Sequence, residues 1–147
     1  MFPPSSQRVP LNTDEGINRR IALKTRLSVV YHAAHPEDIP ARLRELEAEW
    51  DIERVLETNA SSLVLLGLAL GAVRPRWLVL SAGVAAFLLQ HAVEGWCPPL
   101  PLLRRLGYRT AREIGRERNA LRILRGDIGD IPSEQRMAAA LTFARTG

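Results

Sequence analysis

Residues 58 to 96 read TNASSLVLLGLALGAVRPRWLVLSAGVAAFLLQHAVEGW, and the fold turns on them. Two uncharged stretches, Thr58–Val73 and Trp77–Val93 with His91 neutral, flank Arg74-Pro75-Arg76. In the first, Leu63, Val64, Leu65, Leu66, Leu68, Leu70 and Val73 point in every direction around a helix and leave no polar stripe. Such a helix is either enclosed by protein or solvated by lipid. A chain of 147 residues has little room to wrap two helices of this kind. The second stretch is bracketed by Trp77 and Trp96, nineteen steps apart, which at helical rise is about 28 Å against a hydrocarbon thickness of ~30 Å. Tryptophan prefers the membrane interface, as this bracketing requires. The first stretch has only sixteen uncharged residues, short of the ~20 of an ordinary span. Extending it backwards places Glu53, Arg54 and Glu57 at headgroup depth. The short Arg74-Pro75-Arg76 connection makes the two helices antiparallel neighbours.

Composition bounds the rest. The chain is 46% apolar, 24% charged and 5% aromatic, which suits one ordered domain and excludes a disordered chain. A single cysteine excludes an intramolecular disulfide framework and any multi-cysteine metal site. The mean hydropathy of −0.07 is too polar for a protein lying mostly in lipid. Charge is uneven: net −2 over residues 1–60, +1 over 61–100 and +5 over 101–147. Arg104, Arg105, Arg109, Arg112, Arg116 and Arg118 crowd the window after the second span where positive charge sets orientation. Both termini are therefore expected in the cytoplasm, with Arg74 and Arg76 in the outside loop. Residues 1–12 contain three prolines and no apolar run, and are expected to be a flexible tail without a cleavable leader.

The flanks read as amphipathic helices. Over residues 13–57, Thr13-Asp14-Glu15-Gly16 opens a helix whose apolar positions Ile21, Leu23, Leu27, Val30 and Tyr31 recur at helical spacing, ending near His35-Pro36. A second helix starts between Pro36 and Pro40 and carries a stripe of Ile39, Leu43, Leu46, Trp50 and Val55. Over residues 97–147, Cys97-Pro98-Pro99-Leu100-Pro101 stops the second span. A short amphipathic step with Leu102, Leu103 and Leu106 ends at Gly107. Thr110-Ala111-Arg112-Glu113 is a capping box opening a helix to about Arg125, and a last helix follows over Pro132–Ala144. The expected fold is all-α: a membrane-embedded antiparallel two-helix hairpin over 58–96, flanked by cytoplasmic amphipathic helices.

Ile52-Glu53-Arg54-Val55-Leu56, the paired apolar stretches, Gly95-Trp96-Cys97-Pro98 and the Leu103-to-Gly107 close together resemble the YgaP-like transmembrane domain. This is a two-helix inner-membrane module named after a membrane-bound rhodanese. The resemblance covers about Asp51 to Thr110. It implies the bacterial inner membrane, a helical hairpin and homodimerisation. Sulfur transfer is not implied, because the rhodanese active-site cysteine loop has no counterpart in this chain.

Candidate sites follow from chemistry. Cys97, near Arg104 and Arg105, could serve as a reactive thiolate, but a helix C-terminus and apolar neighbours both raise a thiol's pKa, and a packing role is favoured. His91, Glu94 and Cys97 at i, i+3, i+6 lie broadly along one face and could form a metal or proton site, although one helix fills only part of a zinc shell. The favoured reading places His91 and Glu94 at the interface, within reach of water. Gly67 and Gly71 form a GxxxG pattern and Gly83 sits among small residues, permitting close packing within the hairpin or between subunits. Trp77, Trp96, Arg74, Arg76, Arg104 and Arg105 are expected at the membrane interface. The expected function is non-catalytic anchoring and interaction, with no cofactor. Membrane lipids, an unidentified protein partner and a homodimer or larger membrane complex are the expected partners. The scarcity of aromatics in the basic C-terminal helix disfavours nucleic acid. Two alternatives stand: a thiol- or redox-handling membrane protein using Cys97, and a soluble helical bundle.

Overall fold

A computed structural model describes residues 7–146. Among the described residues the chain is all-helical, with no strand. It divides into two compact units. One joins the stretch up to Asp14 with Ile52–Tyr108, and the other joins Glu15–Asp51 with the chain from Arg109 onward.

The first unit is built on two long helices, α4 (Ile52–Val73) and α5 (Leu78–Glu94), with the short α1 (Arg8–Leu11) and α6 (Leu100–Leu106) at one end. Helix α4 stops because Arg74 precedes a proline and is driven extended, with φ −139° and ψ 108°. A 3-10 turn, Pro75–Trp77, then leads into α5. Helix α5 stops at Gly95, whose left-handed φ of 77° lets its N–H donate to the His91 carbonyl at 2.8 Å. A Cβ on Gly95 would lie 2.5 Å from the Cβ of Arg8, so the position also excludes side chains sterically. The long helices run in opposite directions against each other. Ser81 Oγ donates to the Val64 carbonyl at 2.9 Å. Gly67 lets the Ser81 hydroxyl approach the α4 backbone, and Gly71 makes room for Leu78. The two glycines of the GxxxG pattern thus serve packing within the chain, whereas Gly83 faces open space.

Much of both long helices faces outward. Two stretches, Pro36–Val73 and Pro75–Glu94, are long and apolar enough to cross a membrane. The α4 ladder itself begins at Ile52 and runs about 33 Å. Only 22% and 11% of the most apolar windows are buried within the protein. Leu65, Val73 and Val79 are 67%, 80% and 74% exposed.

The apolar core of this unit lies at the end away from the Pro75 turn, where Val9, Ile52, Leu56, Cys97 and Leu100 pack together. Arg8 Nη1 donates to the Ala92 carbonyl at 2.7 Å and Asn12 Nδ2 to that of Glu94 at 3.0 Å, satisfying terminal carbonyls of α5. The tail expectation is corrected in part. Residues 1–6 lie outside the described residues, but Arg8–Leu11 is helical and Val9 is buried.

The second unit comprises α2 (Glu15–Ala34), α3 (Ile39–Ala48), α7 (Ala111–Arg125) and α8 (Ser133–Thr146). Val29, Ala120, Ile123, Ala140 and Ala144 form one cluster, and Ile39, Leu43, Leu46, Ile114 and Leu121 another. The expected capping box is present: Thr110 Oγ1 accepts from the Glu113 N–H at 3.2 Å, and the Glu113 carboxylate accepts from the Thr110 N–H at 2.8 Å. Helix α3 ends before Trp50, which is 44% exposed in the non-helical link at 49–51, and Val55 belongs to α4. The stripe through Trp50 and Val55 is therefore interrupted.

The expected boundaries at 57 and 97 also shift. Residues 52–57 and 97–108 pack with the long helices, while 15–51 and the chain from 109 onward fold together. Ile52 and Leu56 bury against Cys97 and Leu100, a long-range contact that local periodicity does not carry.

Candidate ligand cavity around His91

A cavity of about 270 Å³ opens between α4 and α5 beside the apolar core of the first unit. Leu56, Ala60 and Leu63 of α4 and Val84, Phe87 and His91 of α5 line it, with Asn59 contributing a polar edge. Cys97, Pro98 and Leu103 also border it. Leu63 and Phe87 are half-exposed, so the cavity reaches the surface at those residues.

His91 is 94% buried, at 6% exposure. Neither of its ring nitrogens has a hydrogen-bond partner among the described residues. A buried polar group in that condition forfeits about 1–3 kcal/mol relative to one that is paired. The contact with water expected for this imidazole at the interface is not found: His91 is buried beside a mostly apolar pocket. Cys97 borders the same pocket at 4% exposure, and burial pushes its thiol up from the ordinary value. A thiol so placed is predominantly protonated at neutral pH and a poor nucleophile.

Glu94 does not join them. Its carboxylate accepts from Gln90 Nε2 at 3.2 Å on an exposed surface. Among the described residues no three His, Cys, Asp or Glu side chains gather in a way that could hold a metal ion. Of the residues expected at the interface, Trp77, Trp96, Arg74, Arg76 and Arg105 are exposed. Arg104 departs from that expectation: it is fully buried and donates to the Tyr108 carbonyl at 3.1 Å.

The second unit holds a buried charge network. Glu117, 1% exposed, accepts from Arg109 Nη1 at 2.5 Å, Ser28 Oγ at 2.6 Å and Arg42 Nε at 2.9 Å. Arg109 also grips both oxygens of Glu49, at 2.8 and 2.5 Å. Burial alone would raise the Glu117 carboxyl, but the hydrogen bonds from Arg42, Ser28 and Arg109 prevail and hold it below the usual carboxylate range. For Arg109 burial works the other way, and the bonds to Glu49 and Glu117 overcome it and raise the guanidinium further. The network went unread in the sequence although a signal existed: Glu117 occupies the face of α7 that carries Ile114, Leu121 and Leu124.

A wider cleft of about 580 Å³ borders this network, lined in part by Ser28, Tyr31, His32, Asp38 and Arg42. Its polar groups already have partners. Tyr31 donates to Asp38 at 3.0 Å, His32 Nδ1 lies 2.7 Å from the Ser28 carbonyl, and Arg42 is shared between Glu45 and Glu117. The pairing demand that His91 leaves open has no equivalent there.

The chain matches no family model, no curated protein and no solved structure.

Proposed function

We propose that this chain is a small integral membrane protein of anchoring and interaction type, without catalytic activity. Helices α4 and α5 form a membrane-embedded hairpin of the YgaP-like kind, and the second unit presents a helical surface to a partner protein. The observation that carries the reading is the outward apolar surface of α4 and α5. A core helix of a soluble bundle hides its apolar residues, whereas here Leu65, Leu66, Val73, Val79 and Leu89 all face out. Each large aliphatic side chain gains about 1.5–3 kcal/mol on leaving water, and acyl chains can accept the whole surface at once. The exposed Trp77 and Trp96 mark the two interfaces. The arginine excess after the second span favours both termini in the cytoplasm, and the resemblance to the YgaP-like domain implies a bacterial inner membrane.

Helix α2 supports the interaction half of the proposal. Its inner face buries Ile21, Thr25, Val29 and His32, and its opposite face exposes Leu23, Leu27, Val30 and Tyr31. An apolar stripe on the outer side of an already packed helix suits the groove of a partner. The thiol-handling alternative loses ground because Cys97 is buried and its thiol is raised.

Carbonate washing of membranes that carry the tagged full chain tests the anchor. The protein should stay in the pellet until detergent is added, and release by carbonate alone refutes the proposal. A lipid-phase photoprobe should label α4 and α5 and spare α7.

A further inference from the structure

An imidazole buried beside an apolar pocket keeps one N–H donor and one acceptor nitrogen when neutral. In His91 neither has a partner among the described residues, although the side chain is 94% buried. Apart from Asn59, whose amide donates to the Val55 carbonyl at 2.8 Å, the surrounding lining supplies shape but little polarity: Leu56, Ala60, Leu63, Val84 and Phe87 are all apolar. An ion would be stranded in such a lining, so the occupant is neutral. Size narrows it further. A dry apolar cavity of ~150 Å³ takes up benzene, and pockets for drug-sized molecules begin at ~300 Å³; this one measures about 270 Å³. It fits a single ring with a short substituent.

We propose that the cavity between α4 and α5 binds a neutral, monocyclic, phenol-like molecule whose hydroxyl pairs with a ring nitrogen of His91. A hydroxyl fits better than a carbonyl or an amine because it both donates and accepts, and so meets the imidazole in either tautomer. The ring lies among the aliphatic side chains of the two helices, with Phe87 available for an edge or offset contact. The ligand enters where half-exposed Leu63 and Phe87 border the cavity. The site draws on residues of the first unit alone and does not depend on the docking role of the second.

The test uses the full chain in lipid nanodiscs, with nitrogen-15 in the histidine rings and carbon-13 in the valine methyls. The probe is 4-ethylphenol, and ethylbenzene is its match without the oxygen. With 4-ethylphenol the His91 ring nitrogens should shift saturably while those of His32 and His35 stay in place. Read at the Val84 methyls, ethylbenzene should bind about tenfold more weakly, the worth of one buried hydrogen bond. His91→Phe should erase that preference, and Ala60→Phe, which fills the cavity, should abolish the His91 shift. Three results would overturn the proposal. They are His91 ring signals unmoved by bilayer-saturating 4-ethylphenol, equal binding of the two probes to the unaltered chain, and a His91 shift that survives Ala60→Phe in a variant with an intact amide spectrum. The wild-type titration needs no variant, so a failure of either substitution to fold leaves it decisive. Carbonate release of the protein would sink the membrane anchor without moving the His91 signals, so the two readings fail separately.

Discussion

Replacing Glu117 with glutamine removes one negative charge from the middle of the second unit and keeps the side-chain shape. Three donors converge on that carboxylate, from Ser28, Arg42 and Arg109, at 2.5 to 2.9 Å. Removing one partner from a buried ionic group ordinarily costs about 3–5 kcal/mol. The lower end applies, because Arg109 keeps its two bonds to Glu49 and Arg42 keeps Glu45. The new amide also sets its own N–H groups against guanidinium donors, which opposes a smaller loss. About 3 kcal/mol is the expected destabilisation, or amide exchange roughly 150-fold faster wherever opening of this unit controls exchange. Hydrogen exchange of the full chain in nanodiscs reads this directly in α2, α3 and α7, with the α5 amides as internal reference. The sign with pH follows from the lowered Glu117 carboxyl. Its contribution is complete above the unfolded carboxylate value of ~4.3 and disappears as pH falls through the lower folded value. The Glu117→Gln difference should therefore be full at neutral pH and shrink only in acid below that range. An acceleration under tenfold at neutral pH, or one as large in α5 as in α7, would refute the reasoning.

Three shorter predictions accompany it. Gly67→Val drives a branched side chain into Ser81 and should weaken the α4–α5 pairing by about 1–3 kcal/mol, read as faster exchange of the Val64 and Ser81 amides, with Gly83→Ala as a neutral control. Thr110→Ala removes the side-chain half of the capping box and should cost about 1 kcal/mol, with loss of protection concentrated in α7. Cys97, buried and with its thiol raised, should resist a maleimide at pH 7 in the folded chain and react on unfolding; stoichiometric labelling of the native protein within minutes would contradict the packing role.

The helices themselves were largely legible. The proline at 36 and Gly107 end helices for local steric reasons, and the box at Thr110 opens one, so these boundaries stand close to where a reading of the chain puts them, whereas α5 ends at Gly95, ahead of the Cys97–Pro101 stop expected from the sequence. The candidate site was legible only in its members. His91 and Cys97 stand out by residue type, but a period of 3.6 groups both of them with Glu94, which the structure leaves outside on Gln90. Leu63 and Phe87 carry no mark in the sequence that distinguishes them as cavity walls from their lipid-like neighbours. Arg104 shows the same limit: beside Arg105 it reads as a headgroup contact, yet the two point to opposite environments.

The sequence by itself determined what short-range physics decides: an all-helical chain, its stops and caps, and two helices apolar enough to cross a membrane. Those properties depend on residues within a turn or two of one another. Only the tertiary structure decided which segments share a unit, that Glu117 gathers Ser28, Arg42 and Arg109 from far along the chain, and that His91 ends in a cavity without a partner. Such pairings arise from contacts between distant segments, where many combinations satisfy the same local pattern and packing selects one.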